Sequence, residues 1–246
     1  MADGGGALRG VIDPSPVIDL GTLGAFDDAG VTMSCIVSAG AQQFLYFTGW
    51  SLGVSVPFYL NAGLAISTDG GRSFGRASAA PLLERNAVDP YLTASPWVMR
   101  DGGVWRMWYV AATHWTSDAT GPKHHYHIRY AESGDGVTWK RTGHVCVDFA
   151  AAGEYAFGRP CVRKEGDTYR MWYSVRGTAY RIGYAESADG VQWTRMDDRA
   201  GIDVSSSGFD SEMIEYPVVM EASGRRLMLY NGNGYGRTGI GVAECA

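Results

Sequence analysis

The chain of 246 residues is 46% hydrophobic, 12% aromatic and 19% charged, with a formal net charge of −5 at pH 7. That balance excludes a disordered chain, and the acidic excess excludes nucleic acid as the main partner, because phosphate binding needs a basic footprint. No apolar run approaches the roughly 18–20 residues of a membrane-spanning helix, and the start Met-Ala-Asp-Gly-Gly-Gly lacks signal-peptide features, so a cytoplasmic protein with no membrane partner is expected.

Residues 1–7 read as a disordered tail, and 8–246 as one domain. With 34 Gly, 8 Trp and 14 Tyr, the composition favours short strands and tight turns, and an all-β fold. Four short strands recur along the chain: Ser34–Val37, Ser95–Val98, Arg159–Val162 and Tyr216–Val219. Each precedes an aromatic strand, at Phe44–Phe47, Trp105–Tyr109, Tyr169–Tyr173 and Leu227–Tyr230. A third strand then runs into a Ser-x-Asp-Gly turn, at Leu64–Phe74, Tyr130–Trp139 and Tyr184–Trp193. In these turns Asp caps its own backbone and Gly supplies positive φ. The fourth copy, Gly239–Glu244, stops before any such turn. Steps from Phe47 through Tyr109 and Tyr173 to Tyr230 are 62, 64 and 57 residues. Four-stranded antiparallel units at this period predict a β-propeller of four visible blades, with residues 8–13 supplying the missing outer strand and so covering a sheet edge. Trp108, Trp139, Trp172 and Trp193 recur at repeat positions and are expected in the core between blades.

Cys35, Cys146, Cys161 and Cys245 have no CxxC spacing and read as plain thiols. No metal or cofactor is implied: His125 and His127 share a strand face, His124 points the other way, and a clear third ligand is lacking. His124 and His125 are expected on a solvated loop, and His127 at the channel.

Carboxylates stand at matched places before the first strands: Asp28, Asp89 and Asp210 seven residues before Cys35, Pro96 and Pro217, and Glu154 six before Pro160. With Glu212 and Glu215 they predict an acidic ring at one channel mouth; the competing reading makes the aspartates turn caps. Arg159 and Arg176 stand where channel-lining residues are expected, suited to a ligand carboxylate or phosphate or to an internal salt bridge. Ser95, His114, Asn231 and Asn233 are further binding candidates, and Trp50, Trp115, Tyr216 and Tyr235 are candidate sugar-stacking platforms.

The phrases Tyr-Arg-Ile-Gly-Tyr-Ala-Glu-Ser-x-Asp-Gly-x-x-Trp, Arg-Met-Trp-Tyr and Glu-Tyr-Pro, with Gly24–Val31, resemble the five-bladed propellers of the glycoside hydrolase family 43, 32 and 130 superfamily. Bacterial glycosidase-like proteins that accompany sugar or natural-product biosynthesis are especially similar. The resemblance spans about residues 16–244. It implies a glutamate-x-proline general acid at Glu215, with Asp28 as base or nucleophile and Asp89, Glu154 and Glu212 in support. Its members carry five blades where four repeats are counted here. The ring is therefore either closed by residues 8–13 or an open arc completed by a second copy, as a homodimer. The expected function is a glycosidase-like enzyme acting on a small glycoside or a glycosylated or phosphorylated metabolite. The alternatives are a non-hydrolytic cyclase, isomerase or lyase on the same scaffold, and a non-catalytic sugar-binding module.

Overall fold

The computed structural model describes residues 15–119 and 121–244, so the expected tail and the expected closing strand at 8–13 lie outside the described residues. Four antiparallel units follow one another. The first holds β1 (Gly30–Ala39), β2 (Gln42–Leu52), β3 (Phe58–Ser67) and β4 (Gly75–Arg76). The second holds β5 (Thr93–Asp101), β6 (Val104–Asp118), β7 (Gly121–Ser133) and β8 (Lys140–Val147). The third holds β9 (Ala156–Glu165), β10 (Thr168–Arg176), β11 (Tyr180–Ser187) and β12 (Thr194–Arg195). Among the described residues the last unit has three strands, β13 (Glu215–Ala222), β14 (Arg225–Asn231) and β15 (Ile240–Glu244). One parallel bridge, Tyr126 to Ala156, joins the second and third units into a single sheet.

The first strand of each unit packs against the first strand of the next. Trp97 Nε1 donates to Val162 O at 2.9 Å, and Cys35 Sγ accepts the Val98 amide proton at 3.2 Å. The repeated turns tie the units at their outer side. Tyr46 of β2 donates its hydroxyl to Gly136 O at 2.9 Å, and Trp108 of β6 donates Nε1 to Gly190 O at 2.8 Å. Both acceptors belong to the Asp-Gly turn of the following unit, which explains why turn and aromatic strand recur together. Gly136, at φ +78°, has no room for a side chain: a Cβ there would lie 2.9 Å from the Tyr46 hydroxyl oxygen. Between neighbouring units sit the repeat aromatics, with Phe44, Tyr46, Trp105 and Met107 in one cluster and Trp108, Tyr130, Tyr169 and Tyr173 in the next. Trp108 and Trp172 are buried, and Trp139 and Trp193 half-buried against these clusters. The fold is an all-β propeller.

The insertion expected to loop out after β6 is instead a continuation of the sheet. His124 pairs with Trp115 and His125 with His114 in the β6–β7 ladder, past a bulge between Ala112 and His114. Strand alternation then puts His124 beside Tyr126 rather than in a solvated loop: the two rings stack at 4.4 Å.

Candidate active site

Each innermost strand carries a register break at the same place, between Met33 and Cys35, Ala94 and Trp97, Gly158 and Cys161, and Glu215 and Val218. At three of them a residue immediately before proline is driven to positive φ: Ser95 (48°), Arg159 (41°) and Tyr216 (56°). A pre-proline residue favours extended backbone, so each such residue costs about 1–3 kcal/mol and persists only where its surroundings enforce it. The enforcing bonds repeat too. Thr48 Oγ1 accepts the Ser95 amide proton at 2.8 Å, and Ser174 Oγ accepts that of Tyr216 at 2.7 Å. These bulges re-aim side chains, and all three strained residues line one hollow.

That hollow measures about 610 Å³ counted to its open mouth, and its walls include Thr32, Thr48, Trp50, Phe157, Tyr126 and Tyr180. It is continuous through Trp50, Tyr126, Tyr180 and Tyr216 with an outer hollow of about 760 Å³, where Phe58, His124, Arg176 and Tyr235 join the lining. The size and aromatic lining suit a small-molecule site. Trp50, Tyr216 and Tyr235 stand there as expected, with Ser95, Arg159 and Arg176. Trp50 and Arg176 occupy the same register, three residues past Phe47 and Tyr173. Tyr126, Phe157, Tyr180 and His124 were missed because their strands were assigned only coarsely. Thr48 and Ser174, each one residue past the repeat aromatic, could have been found from register alone.

Glu215, the first residue of β13, is fully buried, and neither carboxyl oxygen has a hydrogen-bond partner. Its neighbour Tyr216 lines the hollow, and its charge is felt by Tyr180, Tyr216 and Arg176. Burial raises its pKa to about 8 against the opposing pull of Arg176, so the group is predominantly neutral at pH 7. Arg176 lies among tyrosines, its guanidinium carbon 5.0 Å from the Tyr180 ring, 5.5 Å from Tyr155 and 5.8 Å from Tyr235. Arg159 donates to Met33 O at 2.8 Å, while its buried Nε finds no acceptor and burial lowers its pKa. Burial also brings His124 down to about 4, keeping it neutral, with Nε2 unpartnered.

The expected acidic ring does not assemble at this hollow, because its members are engaged elsewhere. Asp89 is fully buried under Arg129 at 2.8 Å, Arg141 at 3.0 Å and the Tyr109 hydroxyl at 2.9 Å. Asp210 accepts the Tyr230 hydroxyl at 2.8 Å, and Asp197 that of Tyr173 at 2.5 Å. The repeat tyrosine therefore carries a carboxylate on its hydroxyl in three units. In the first unit the position is Phe47, and the buried Asp27 pairs with Arg76 at 2.7 Å instead. Glu154 is forked by Arg195 at 2.6 and 2.7 Å; burial raises its pKa, but this fork outweighs it and the carboxyl lies below its ordinary range. Asp28 Oδ2 accepts the Gly24 amide proton at 2.9 Å in its own turn, and Glu212 is exposed. Neither lines the hollow.

Other candidates are also placed elsewhere. His127 Nε2 meets Asp148 at 2.9 Å, and His114 stacks on His125 at 4.2 Å. Trp115 packs edge-on against Phe58 at 5.5 Å, behind the lining. Asn231 reaches back to Tyr235 O at 3.4 Å, while buried Asn233 accepts the Glu212 and Met213 amide protons and so clamps the preceding loop.

No family model matches the chain. Over 243 residues it is 44% identical to "Uncharacterized protein MT1551" of Mycobacterium tuberculosis (strain CDC 1551 / Oshkosh), spanning 99% of this chain and 80% of that protein. The chain belongs to the family of that mycobacterial protein. Among solved structures, a complex of BT0996 with RGII superposes with a TM-score of 0.71 at 20% identity, covering 92% of this chain and 74% of that one. A thermostable family-43 glycoside hydrolase superposes with a TM-score of 0.67 at 16% identity, covering 85% and 69%. At these identities the likeness establishes a shared β-propeller fold, and the chemistry must be argued from the hollow itself.

Proposed function

We propose that the chain is a glycosidase-like carbohydrate-active enzyme in which neutral Glu215 donates a proton to a leaving oxygen of a sugar derivative bound in the hollow. The observation that carries this reading is the Glu215 carboxyl itself, buried with both oxygens unpartnered on the strand next to an aromatic-walled hollow. A general acid must hold its proton near the working pH, and a carboxyl raised to about 8 does so. Trp50, Tyr216 and Tyr235 offer ring faces for sugar C–H surfaces. The glutamate-x-proline match and the shared fold with glycoside hydrolases agree with this reading.

Hydrolysis also needs a second carboxylate to attack or to activate water. No second carboxylate lines the hollow among the described residues. That favours a second reading, acid-assisted elimination, cyclisation or isomerisation on a glycosylated intermediate. A mass-detected turnover assay with wild type and Glu215→Gln on oligosaccharides, nucleosides and sugar nucleotides separates them. Water-added fragments from wild type alone support hydrolysis, whereas products of unchanged mass, or lighter by water, support the second reading. Equal turnover by both proteins would remove Glu215 from the chemistry.

A further inference from the structure

The geometry points to an oxyanion subsite in this hollow: Arg159 and Arg176 bind a carboxylate or phosphate ester carried by the sugar ligand. The inference rests on reading the hollow as a sugar site and adds the ligand's class. Most arginines here are matched by carboxylates, as in Arg129 and Arg141 on Asp89, Arg195 on Glu154 and Asp197, and Arg76 on Asp27. Arg159 and Arg176 form no ion pair among the described residues, and they are the two arginines of the connected lining.

An unpaired, desolvated guanidinium is costly, and proteins leave one only where a partner arrives from outside or a carboxylate is at hand. The carboxyl at hand is Glu215, which stays neutral at pH 7 beside Arg176. Arg159 is held by strained backbone at φ 41° before Pro160, which turns its side chain into the hollow rather than along the strand. Its guanidinium is anchored on Met33 O and leaves Nε without a protein acceptor. The Arg176 guanidinium is sandwiched among tyrosine rings, with no carboxylate paired to it. Lys123 Nζ, 3.7 Å above the Tyr155 ring, adds positive charge on the outer side. Guanidinium forks match the geometry of carboxylate and phosphate oxygens.

Isothermal titration of the full chain with glucose, glucuronate, glucose 6-phosphate and inorganic phosphate tests this. At least one sugar anion is expected to bind ten-fold or more tighter than glucose, with affinity falling as salt rises. The glucuronate and glucose 6-phosphate arms tell carboxylate from phosphate ester. Arg159→Gln and Arg176→Gln should each abolish that preference; Arg176 stands at the half-exposed rim, so its variant still reports if the first unfolds. Equal binding of glucose and both sugar anions, no binding of either, or inorganic phosphate binding as tightly as glucose 6-phosphate would overturn the subsite. So would retention of the preference in a folded Arg176→Gln protein. Glu215→Gln should keep the preference whatever it does to turnover, so failure of the acid assignment shows only in the turnover assay.

Discussion

Cys161 Sγ accepts the Val219 amide proton at 3.2 Å, repeating what Cys35 does for Val98 at 3.2 Å two units earlier. Each thiol fills the place where one innermost strand meets the next, and each satisfies an amide that the neighbouring bulge has removed from its ladder. The same bulges produce the strained residues of the hollow. The joint between units and the shape of the site therefore share one local device, and disturbing the joint should be felt at the site.

Removing the thiol leaves the Val219 N–H buried without its acceptor. Cys161→Ala should cost about 1–3 kcal/mol, read as a shift in the denaturation midpoint at unchanged m-value. Cys35 is less enclosed, so Cys35→Ala should cost less. Burial raises both thiols to about 12, and Cys146 above its ordinary value as well. In the native protein at pH 8 these three should resist a thiol reagent that labels them rapidly after denaturation.

Asp89 supplies a sharper test of what the acidic register is for. It neutralises two nearly buried arginines and accepts a tyrosine hydroxyl. Asp89→Ala strands both cations and should destabilise by about 3–5 kcal/mol. Tyr109→Phe removes one hydrogen bond and should cost about 1 kcal/mol. In Tyr109→Phe, activity per folded molecule should equal wild type, because the pair braces the fold away from the hollow. A fall in kcat with unchanged melting temperature would contradict that.

The repeat was legible because its parts are locally determined: Asp-Gly turns, aromatic alternation and proline at the first strand all write their geometry into a few adjacent residues. Glu215, Arg159, Ser95, Trp50 and Tyr216 were reachable the same way, since bulge and strand end recur at fixed register. Which carboxylates were free was not legible. Asp89 meets Arg129 and Arg141, and Glu154 meets Arg195, over sequence separations of about 40–50 residues, and spacing along one repeat says nothing of partners that distant. The same holds for His124, whose place in the hollow depends on the β6–β7 hairpin continuing as a ladder.

Glycine at the repeated turn is required at one position and optional at its neighbours. Gly190 has φ +76°, and a Cβ there would press on Trp108 and Tyr169 at 3.3 Å. Gly190→Ala should destabilise by more than about 1 kcal/mol and weaken the Trp108 bond to the Gly190 carbonyl. Gly134, exposed, with negative φ and open space around it, should accept alanine with a gain of about 0.4–1 kcal/mol. Thermal midpoints of the two variants should move in opposite directions.

Glu215 links stability and activity through one proton. Its folded-state pKa of about 8 lies above the ordinary glutamate value of 4.5, so between those limits the native state holds a proton that the unfolded chain releases. Stability from this group is complete below about pH 4.5 and falls by about 1.4 kcal/mol for each pH unit crossed up to about 8, beyond which the loss is constant. Glu215→Gln keeps the neutral shape and cannot ionise. It should match wild type near pH 4.5 and exceed it by a growing margin up to pH 8, measured as the difference in denaturant midpoint across the range. If the same proton is the one delivered to substrate, wild-type kcat/KM should fall through a pKa near 8 on the alkaline side while Glu215→Gln is inactive at every pH. A stability difference that stays flat from pH 5 to 8 would mean that Glu215 is charged in the native state, and would withdraw both the buried acid and its role as proton donor.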